Sequence, residues 1–422
     1  MLAVRVEDYL PVLMRHALRL LPYCLISCLT FSGLEGATGD PVGYVANHLV
    51  AGKKGSLAVP LADGYKKLGK IAVSGDGFVE FESDLPLDLL GPALSACLDV
   101  RSGPGSGESL QVTGFSGKRV LFEGPPMFPI EAGTVVGVRP NWSIGGLFGS
   151  PPSEEILQGD TYQDADVIGL LDPATQTTRE FFYQTGEGWR EVGHEVDGDR
   201  SATAVPYRSA VQFFRRRAPD LQYFLIGTVP MYGSPQQWVR VWPGRNLLTT
   251  PFTPARRIGD LLAPESLNSG RSAPRSDSFR IVYADTSLSR ILYHHESRGW
   301  TRVGGGSSDP ADTPVELFGV IDFQRTGDGG FLRFGTDFQS AGAVAAAAVA
   351  PENEVRIQSE LSNFTTNTLG WQSEPGVAYQ VQVQPVGSNR WADLGTPVTA
   401  TGTVCRKTCR PTGHGIFRVV IR

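Results

Sequence analysis

Short runs in which hydrophobic and polar residues alternate fill most of this chain, and Gly-rich turns separate them. Ser109–Gly114 alternates, and the pattern resumes over Arg119–Glu123 after a Ser116-Gly117 turn, which predicts a β-hairpin. Val211–Phe214 and Tyr223–Thr228 are further short runs that read as strands. Strands of about 4–8 residues with turns every ~10 residues are typical of β-sandwiches and barrels. The pattern therefore predicts an all-β fold.

One hairpin pattern occurs twice. Arg179–Gly193 reads Arg-Glu-Phe-Phe-Tyr-Gln-Thr-Gly-Glu-Gly-Trp-Arg-Glu-Val-Gly, and Arg290–Gly304 keeps its Arg, an aromatic, Gly-Trp and Val-Gly at the same spacing. Most of the polar residues between these anchors differ. A duplicated catalytic site would keep its charged residues instead, so we interpret the repeat as a packing unit.

A second repeat precedes the hairpin. Ala51–Leu61 resembles Val241–Phe252, since each has a turn, a short apolar strand and a Pro, and the segments that follow end in Lys70-Ile71 and Ile258–Leu262. The stretch from this strand to the hairpin is longer in the first copy. We therefore predict two related β-sandwich or barrel-like units, over residues 38–235 and 236–340, the first with an inserted hairpin region.

The end of the chain reads as a separate small β-domain over residues 354–422, after an Ala-rich linker over residues 341–353. Its strands alternate around two tryptophans. Cys405 and Cys409 could close a small disulfide loop in an oxidising compartment.

Residues 1–37 read as a secretory signal segment, with a basic start at Met14–Arg19 and small residues after the apolar run. That run, Leu20–Phe31, has about 12 residues and is too short for a membrane span. The sequence thus predicts a secreted, cell-surface or periplasmic protein with no membrane span in the mature chain. Leu25-Ile-Ser-Cys28 also fits a lipoprotein cleavage box, which leaves lipid anchoring at Cys28 as an alternative.

Composition supports the fold class and excludes one kind of partner. Gly (50) and Pro (30) are abundant among 422 residues, as turn-rich β-proteins require. The net charge is −5, which gives no electrostatic footprint for nucleic acid.

No motif predicts catalysis, a cofactor or a metal. A Gly-x-Ser-x-Gly nucleophile elbow is absent from the sequence, and His294-His295 on one strand would point to opposite faces. Asp164 and Asp166 are predicted to share a strand face. These two, or Asp197-Gly-Asp199, could bind calcium with help from carbonyl groups, but neither set has the full loop of oxygen ligands.

Glu180 and Glu187 flank the first hairpin, and glycoside hydrolysis needs only two carboxylates. However, the second hairpin has Ile291 and Arg298 in their places. We therefore interpret these glutamates as solvated surface charge.

Trp142, Trp189 and Trp300 are the candidate ligand-stacking residues, because an aromatic face can dock on a sugar ring. The alternative is that each tryptophan covers the core of its own unit, which we favour.

Four segments resemble a paralogous family of secreted verrucomicrobial proteins of unknown function. They are an Asp-Pro-Val-Gly-Tyr start, an Arg-Pro-x-Trp-(Thr/Ser)-(Leu/Ile)-Gly-x-Leu-Phe segment, a Trp-x-x-Val-Gly hairpin and an Asn-Leu-x-x-x-Pro-(Phe/Tyr) strand, here Asp40–Tyr44, Arg139–Phe148, Trp189–Gly193 and Asn246–Phe252. The resemblance covers residues 40–335 and implies export and a β-rich body, but no catalytic residue. The tail resembles fibronectin-III-like domains through Trp371, Pro375-Gly376, Tyr379, Trp391 and Phe417.

The function predicted from these observations is that of an exported, non-catalytic structural or surface protein, in a surface layer, matrix, filament or adhesion. Its partners would be further copies of itself or a cell-surface polymer. The alternative is a secreted protein that binds or processes carbohydrate, with a glycan as its ligand.

Overall fold

The computed structural model describes residues 42–86, 95–229, 236–251, 257–282, 290–305, 311, 313, 319–335, 354–355, 357–360, 367–373, 375–385, 388, 390–402, 404–409 and 415–421. The predicted signal segment over residues 1–37, with Cys28, and the predicted linker over residues 341–353 lie outside the described residues.

Strands account for most of the described residues. The first are β1 (Val42–Leu49), β2 (Lys54–Leu57), β3 (Lys67–Gly75), β4 (Phe78–Phe81), β5 (Ala96–Val100), β6 (Ser109–Ser116), β7 (Arg119–Phe122) and β8 (Val135–Pro140). Next come β9 (Trp142–Ser143), the short helix α1 (Ile144–Phe148), β10 (Val167–Asp172), β11 (Thr177–Gln184), β12 (Gly188–Glu191), β13 (Ala204–Val205), β14 (Val211–Phe214) and β15 (Leu221–Thr228).

The second half has a similar composition of elements. It contains β16 (Gln237–Val241), β17 (Gly244–Thr249), the short helix α2 (Ile258–Leu261), β18 (Ser278–Val282), β19 (Arg290–His295), β20 (Gly299–Arg302), β21 (Val320–Arg325) and β22 (Gly330–Phe334). The tail contains β23 (Glu354–Val355), β24 (Ile357–Glu360), β25 (Asn367–Gln372), β26 (Ala378–Pro385), β27 (Ala392–Asp393), β28 (Val398–Thr399), β29 (Val404–Cys409) and β30 (Gly415–Ile421). Short 3₁₀ turns lie at Glu195–Asp197, Pro264–Ser266 and Ala273–Arg275.

Two five-stranded sheets have the same strand order. One runs β12-β11-β10-β14-β2 and the other β20-β19-β18-β21-β17, so strands that correspond in sequence take corresponding places. In each unit the first and last strands pair with each other outside the five-stranded sheet, β1 with β15 and β16 with β22. Each pair shares a hydrophobic core with its five-stranded sheet, as in a β-sandwich. The predicted all-β fold is confirmed.

The insertion in the first unit is a closed barrel. Its strands follow the order β3-β4-β7-β6-β5-β8 and surround a core of their own. The predicted hairpin is β6 and β7, and its alternating burial directs every second side chain inward. The pairing of β3 with β8 closes the barrel and brings Lys67 opposite Val138.

The two short helices show that Lys70-Ile71 is not the counterpart of Ile258–Leu262, contrary to the sequence prediction. Ile258–Leu262 has its counterpart in Ile144–Phe148, which begins with the same Ile-Gly-x-Leu pattern, and both helices bury their Ile and Leu. Lys70-Ile71 lies instead in strand β3 of the barrel. The barrel therefore interrupts the first unit between β2 and α1.

The tail forms a small two-layered sandwich joined to the first unit. Strands β24, β25 and β29 make one sheet, and β26 and β30 belong to the other. Strand β30 continues into the first unit, because Val42 of β1 pairs with Phe417 and Tyr44 pairs with Gly415. The Tyr44 ring stacks on Phe417 at 4.8 Å and belongs to the core of the tail. The first and last strands of the described residues, β1 and β30, thus lie in one sheet.

The predicted disulfide is wrong. Cys405 and Cys409 lie on the same strand, β29, where they pair with Trp371 and Asn367 respectively. Four residues of an extended strand span about 13 Å, whereas the Cα atoms of a disulfide lie within roughly 7 Å. Cys405 is a free, buried cysteine.

Candidate functional site

Trp189 is completely buried beside the turn of the first duplicated hairpin. This side chain is 0% exposed, and its Nε1 donates a hydrogen bond to the carbonyl oxygen of Gly149 at 2.8 Å. The rings of Tyr183 and Phe148 lie 5.5 and 6.0 Å from it. Trp189 therefore has no open face on which a sugar could stack, and it lies in the core of the first unit.

The turn of the second hairpin has the same aromatic geometry but is more open. His294 stands in place of Tyr183, and its ring lies 5.5 Å from Trp300 at 84°, the distance and angle of the first pair. Trp300 is half-buried and packs against Phe279 at 5.6 Å. The exposed hydroxyl of Ser269 lies 2.7 Å from Nδ1 of His294. We call Ser269, His294 and Trp300 the second hairpin corner.

The two adjacent histidines of β19 have different surroundings. His295 is buried, and its Nδ1 accepts a hydrogen bond from the backbone N–H of Ser297 at 3.1 Å. Burial, and then the neighbouring His295, lower the pKa of His294. Both effects disfavour the charged form of the His294 imidazole, which lies beside the Ser269 hydroxyl.

Trp142 contributes to a junction within the first unit. Its Nε1 donates a hydrogen bond to the carbonyl oxygen of Leu61 at 2.9 Å, and the half-buried ring packs against the core of that unit. The ring lies close to Gly227, where a Cβ would come within 3.3 Å of it. Trp142 therefore packs within the first unit, with its ring close to the backbone of Gly227.

A buried ion pair holds the first five-stranded sheet to the loop before it. Arg215 Nη1 donates to Asp166 Oδ2 at 2.5 Å and to the carbonyl oxygen of Glu155 at 2.6 Å. The same carboxylate accepts hydrogen bonds from the backbone N–H groups of Leu157 and Arg216. Asp166 is 1% exposed, so its charge is fully used inside the protein.

The second unit repeats this pair. Arg325 Nη1 donates to Asp277 Oδ2 at 2.7 Å and to the carbonyl oxygen of Ser266 at 3.0 Å. Backbone N–H groups of Asn268 and Thr326 complete the shell of the carboxylate. The sequence alone did not predict this duplicated charge pair, because its members are far apart in the chain and lie outside the hairpin. The aspartate just before β10 and β18 was the available signal.

The remaining candidate carboxylates of the first unit do not converge. Asp164 and Asp166 were predicted to share a strand face, but Asp164 is exposed and accepts a hydrogen bond from Thr161, whereas Asp166 is buried. Glu180 pairs with Lys54 at 3.2 Å, and Glu187 pairs with Arg190 at 3.0 Å.

The two aspartates that follow the first hairpin serve the loop itself. Asp197 pairs with Arg200 at 2.8 Å, and Asp199 accepts hydrogen bonds from the backbone N–H and the hydroxyl of Ser201. Asp199 also accepts a hydrogen bond from the backbone N–H of Trp189 at 2.9 Å. Within the described residues, no group of three or more His, Cys, Asp or Glu side chains is placed to hold a metal ion.

The barrel buries one carboxyl that is ion-paired. Burial raises the pKa of Asp99, but the charge of Arg139 and hydrogen bonds from Arg139, Ser109 and Tyr65 outweigh it, and the net shift is downward. Arg139 belongs to the segment that carries the resemblance to secreted verrucomicrobial proteins. In the structure it is 1% exposed and binds Asp99 through Nε at 2.7 Å.

The barrel also buries a carboxyl that is not ion-paired at short range. Glu108 is 0% exposed, and its Oε1 accepts a hydrogen bond from the backbone N–H of Met127 at 2.7 Å. Its Oε2 is buried without a hydrogen-bond partner in the described part of the chain. Burial raises the pKa of Glu108 to about 7, against the smaller opposing effects of backbone hydrogen bonds and Arg240. Glu108 lies where the barrel contacts the second unit, and its backbone forms an isolated β-bridge with that of Trp238.

Comparison with known proteins returns no relative. No family model matches the chain, and neither a curated protein nor a solved structure is similar to it. The resemblance to secreted verrucomicrobial proteins therefore stays a prediction. Among the described residues, no helix has the length and apolar character that crossing a membrane requires.

Proposed function

We propose that this chain is an exported, non-catalytic structural or surface protein that works in a surface layer, matrix, filament or adhesion. Its partners would be further copies of the chain or a cell-surface polymer. The predicted signal segment and the fibronectin-III-like pattern of the tail support export and a place outside the cytoplasm.

One observation carries the proposal. The residues that the two units share are used to hold sheets together. Asp166 and Asp277 are each bound by an arginine and two backbone N–H groups, and neither has a free oxygen facing an opening. Trp189 is sealed in a core. A glycoside hydrolase would need two carboxyl groups roughly 5–10 Å apart across a cleft, with freedom to exchange protons.

The second hairpin corner favours the alternative, a carbohydrate-binding function. Trp300 is half-buried, the His294 ring lies 5.5 Å from it, and the Ser269 hydroxyl lies 2.7 Å from Nδ1 of His294. An aromatic face next to hydrogen-bonding groups is a common way to hold a sugar ring.

Two measurements on the purified mature chain separate these functions. Light scattering measures the molar mass in solution, and a glycan array measures sugar binding. Higher-order assembly without glycan binding is the expected result. A specific glycan bound by the monomer, lost in Trp300→Ala but kept in Trp391→Ala, would favour the alternative. Trp391 is a suitable control because it is a half-buried tryptophan of the tail that stacks on Arg418 at 4.3 Å.

A further inference from the structure

Three arginines of the described residues are buried, and two of them are neutralised by a carboxylate. Arg139 binds Asp99 at 2.7 Å and Arg215 binds Asp166 at 2.5 Å. Arg208 is 3% exposed, yet the described part of the chain places no carboxylate within ion-pair distance of it. A buried charge without a counter-charge is strongly unfavourable, so this side chain requires an explanation.

The contacts of Arg208 leave one donor group unused. Its Nη2 donates a hydrogen bond to Oε1 of Gln237, which is 5% exposed, and its guanidinium carbon lies 4.6 Å from the centre of the Tyr207 ring. Nη1 of Arg208 is buried and has no hydrogen-bond partner among the described residues, and the same holds for the Tyr207 hydroxyl. Two polar groups on adjacent side chains thus lack a hydrogen-bond partner among the described residues. Because an arginine has donors only, the missing group must be an acceptor.

The neighbouring acidic groups cannot supply it. Oδ1 of Asp99 accepts from Ser109 and Arg139, and Oδ2 accepts from Tyr65 and Arg139, so this carboxylate is fully engaged. Burial raises the pKa of the Cys97 thiol to about 11, and the thiol is therefore neutral near pH 7.

The surroundings add a second positive group. The guanidinium carbon of Arg139 lies 3.6 Å from the Tyr207 ring centre, so this ring contacts two guanidinium groups. Asp99 neutralises only one of them, and the buried cluster of Asp99, Arg139 and Arg208 carries one net positive charge.

The backbone fixes Arg208 at a junction of three parts of the molecule. Its φ is 67°, in the left-handed region that few non-glycine residues adopt. Its carbonyl oxygen accepts a hydrogen bond from Thr249 of β17, and its side chain binds Gln237 of β16, both in the second unit. Tyr207 contacts Arg139 of the barrel.

We propose that Tyr207 and Arg208 form a binding site for a single oxyanion group, at the junction of the barrel with the two sandwich units. Nη1 of Arg208 supplies the charge and one hydrogen bond, and the Tyr207 hydroxyl supplies a second. The ligand is a small inorganic oxyanion such as phosphate or the carboxylate group of an organic acid, since both offer acceptor oxygens with negative charge. Its binding would stabilise the contact of the three parts.

Thermal unfolding of the full mature chain tests the site. Sodium phosphate and sodium acetate are titrated separately at constant ionic strength, with sodium chloride as the balancing salt. A ligand that binds only the folded state raises Tm in a concentration-dependent manner. We expect such a rise with at least one of the two anions, and which anion acts distinguishes a tetrahedral inorganic ion from a carboxylate. No rise with either anion would overturn the proposal.

Two variants and one control variant separate ligand binding from a purely structural role. Arg208→Gln should lower the apparent affinity for the active anion at least tenfold, whereas Arg217→Gln, which removes an exposed arginine, should leave it unchanged. Tyr207→Phe keeps the ring and removes the hydroxyl, and should weaken binding about fivefold. If Arg208→Gln responds to the anion as the unmodified chain does, the site is refuted. If that variant does not fold, an unchanged response in Tyr207→Phe refutes it equally.

Discussion

The two sandwich units have the same framework but differ in how completely the tryptophan at the hairpin turn is buried. Both have one strand order, an Asp–Arg pair at the same place and an aromatic pair at 5.5 Å and 84° beside the hairpin turn. In the first unit, Trp189 is completely buried and Arg179 binds Glu191 at 2.6 Å. In the second, Trp300 is half-buried.

In the second unit Arg302 takes the position of Glu191 and Arg290 that of Arg179, so two arginines replace the ion pair. The duplicated features thus determine the fold, whereas the exposed residues around each hairpin turn are free to change. A ligand-binding role would therefore develop at the rim of the second unit sooner than at the sealed corner of the first.

The largest expected effect concerns the duplicated ion pairs. Asp166→Ala and Asp277→Ala should each lower the free energy of unfolding by about 3–5 kcal/mol. Each removes a buried carboxylate and leaves its arginine, the buried Arg215 or the half-buried Arg325, without that partner. Urea denaturation followed by tryptophan fluorescence measures the loss. Asp164→Ala, at an exposed aspartate, serves as the control and should change little. A clearly smaller loss in one unit would show that the two pairs are not equivalent. The double variant Asp166→Ala/Arg215→Met should recover part of the loss.

The two hairpin tryptophans should differ in their contribution to stability. Trp189→Ala is expected to cost about 3–5 kcal/mol, since it removes a fully buried ring. Trp300→Ala should cost about half as much or less, because part of its ring is already exposed. Chemical denaturation of both variants measures this difference. Equal losses would contradict the view that only the first corner is sealed.

The barrel is the feature that the second unit lacks, and Glu108 makes its contact sensitive to pH. The unfolded carboxyl titrates near 4.5 and the folded one near 7, so the folded state holds an additional proton between these values. Stability should therefore decrease by about 3 kcal/mol as the pH rises from about 4.5 to about 7, and this contribution should be constant above that.

Glu108→Gln should remove this decrease and be the more stable form above pH 7. Thermal or urea unfolding at several pH values, compared between the two chains, measures it. A pH profile that is identical in the variant would show that Glu108 is not the responsible group. Glu80→Gln, at a glutamate on the barrel exterior that pairs with Arg119, is the control.

The smallest change in stability is expected from replacing His294 with tyrosine, the residue that the first hairpin has at this position. His294→Tyr should change stability by less than about 1 kcal/mol, since it recreates the Tyr–Trp pair of the first unit. Because burial, and then His295, lower the pKa of His294, the unmodified chain should also lose a little stability as the pH falls below the ordinary value for histidine. The variant should not show this loss. Urea denaturation at two pH values tests both points, and a large destabilisation would mean that the corners are built differently.

The sequence was sufficient for the features that depend on local patterns. The hairpin β6–β7 and the repeated Gly-Trp hairpin were predicted because alternation and turn residues are visible within a few positions. The core position of Trp189 followed from its place in that repeat. The insertion was also visible, as a difference in spacing between the two copies.

Features that depend on contacts between distant segments could not be predicted in this way. Closure of the barrel depends on β3 meeting β8, and no local pattern records that pairing. The expected disulfide failed because Cys405 and Cys409 share one strand, which the turn-like spacing did not reveal. The sequence does not distinguish Arg208 from other loop arginines, which are normally solvated, and only the structure shows that it is buried.

The pairing of β1 with β30 determines how the molecule would respond to a pulling force. The strands are antiparallel, with Val42 opposite Phe417 and Tyr44 opposite Gly415, so residues 42 and 421 leave the sheet from the same end. A load applied between these ends would open the hydrogen bonds one after another, as in a zipper, and would not shear them all at once. The tail would then peel away from the first unit at low force, while the cores of the two larger units would be loaded only afterwards.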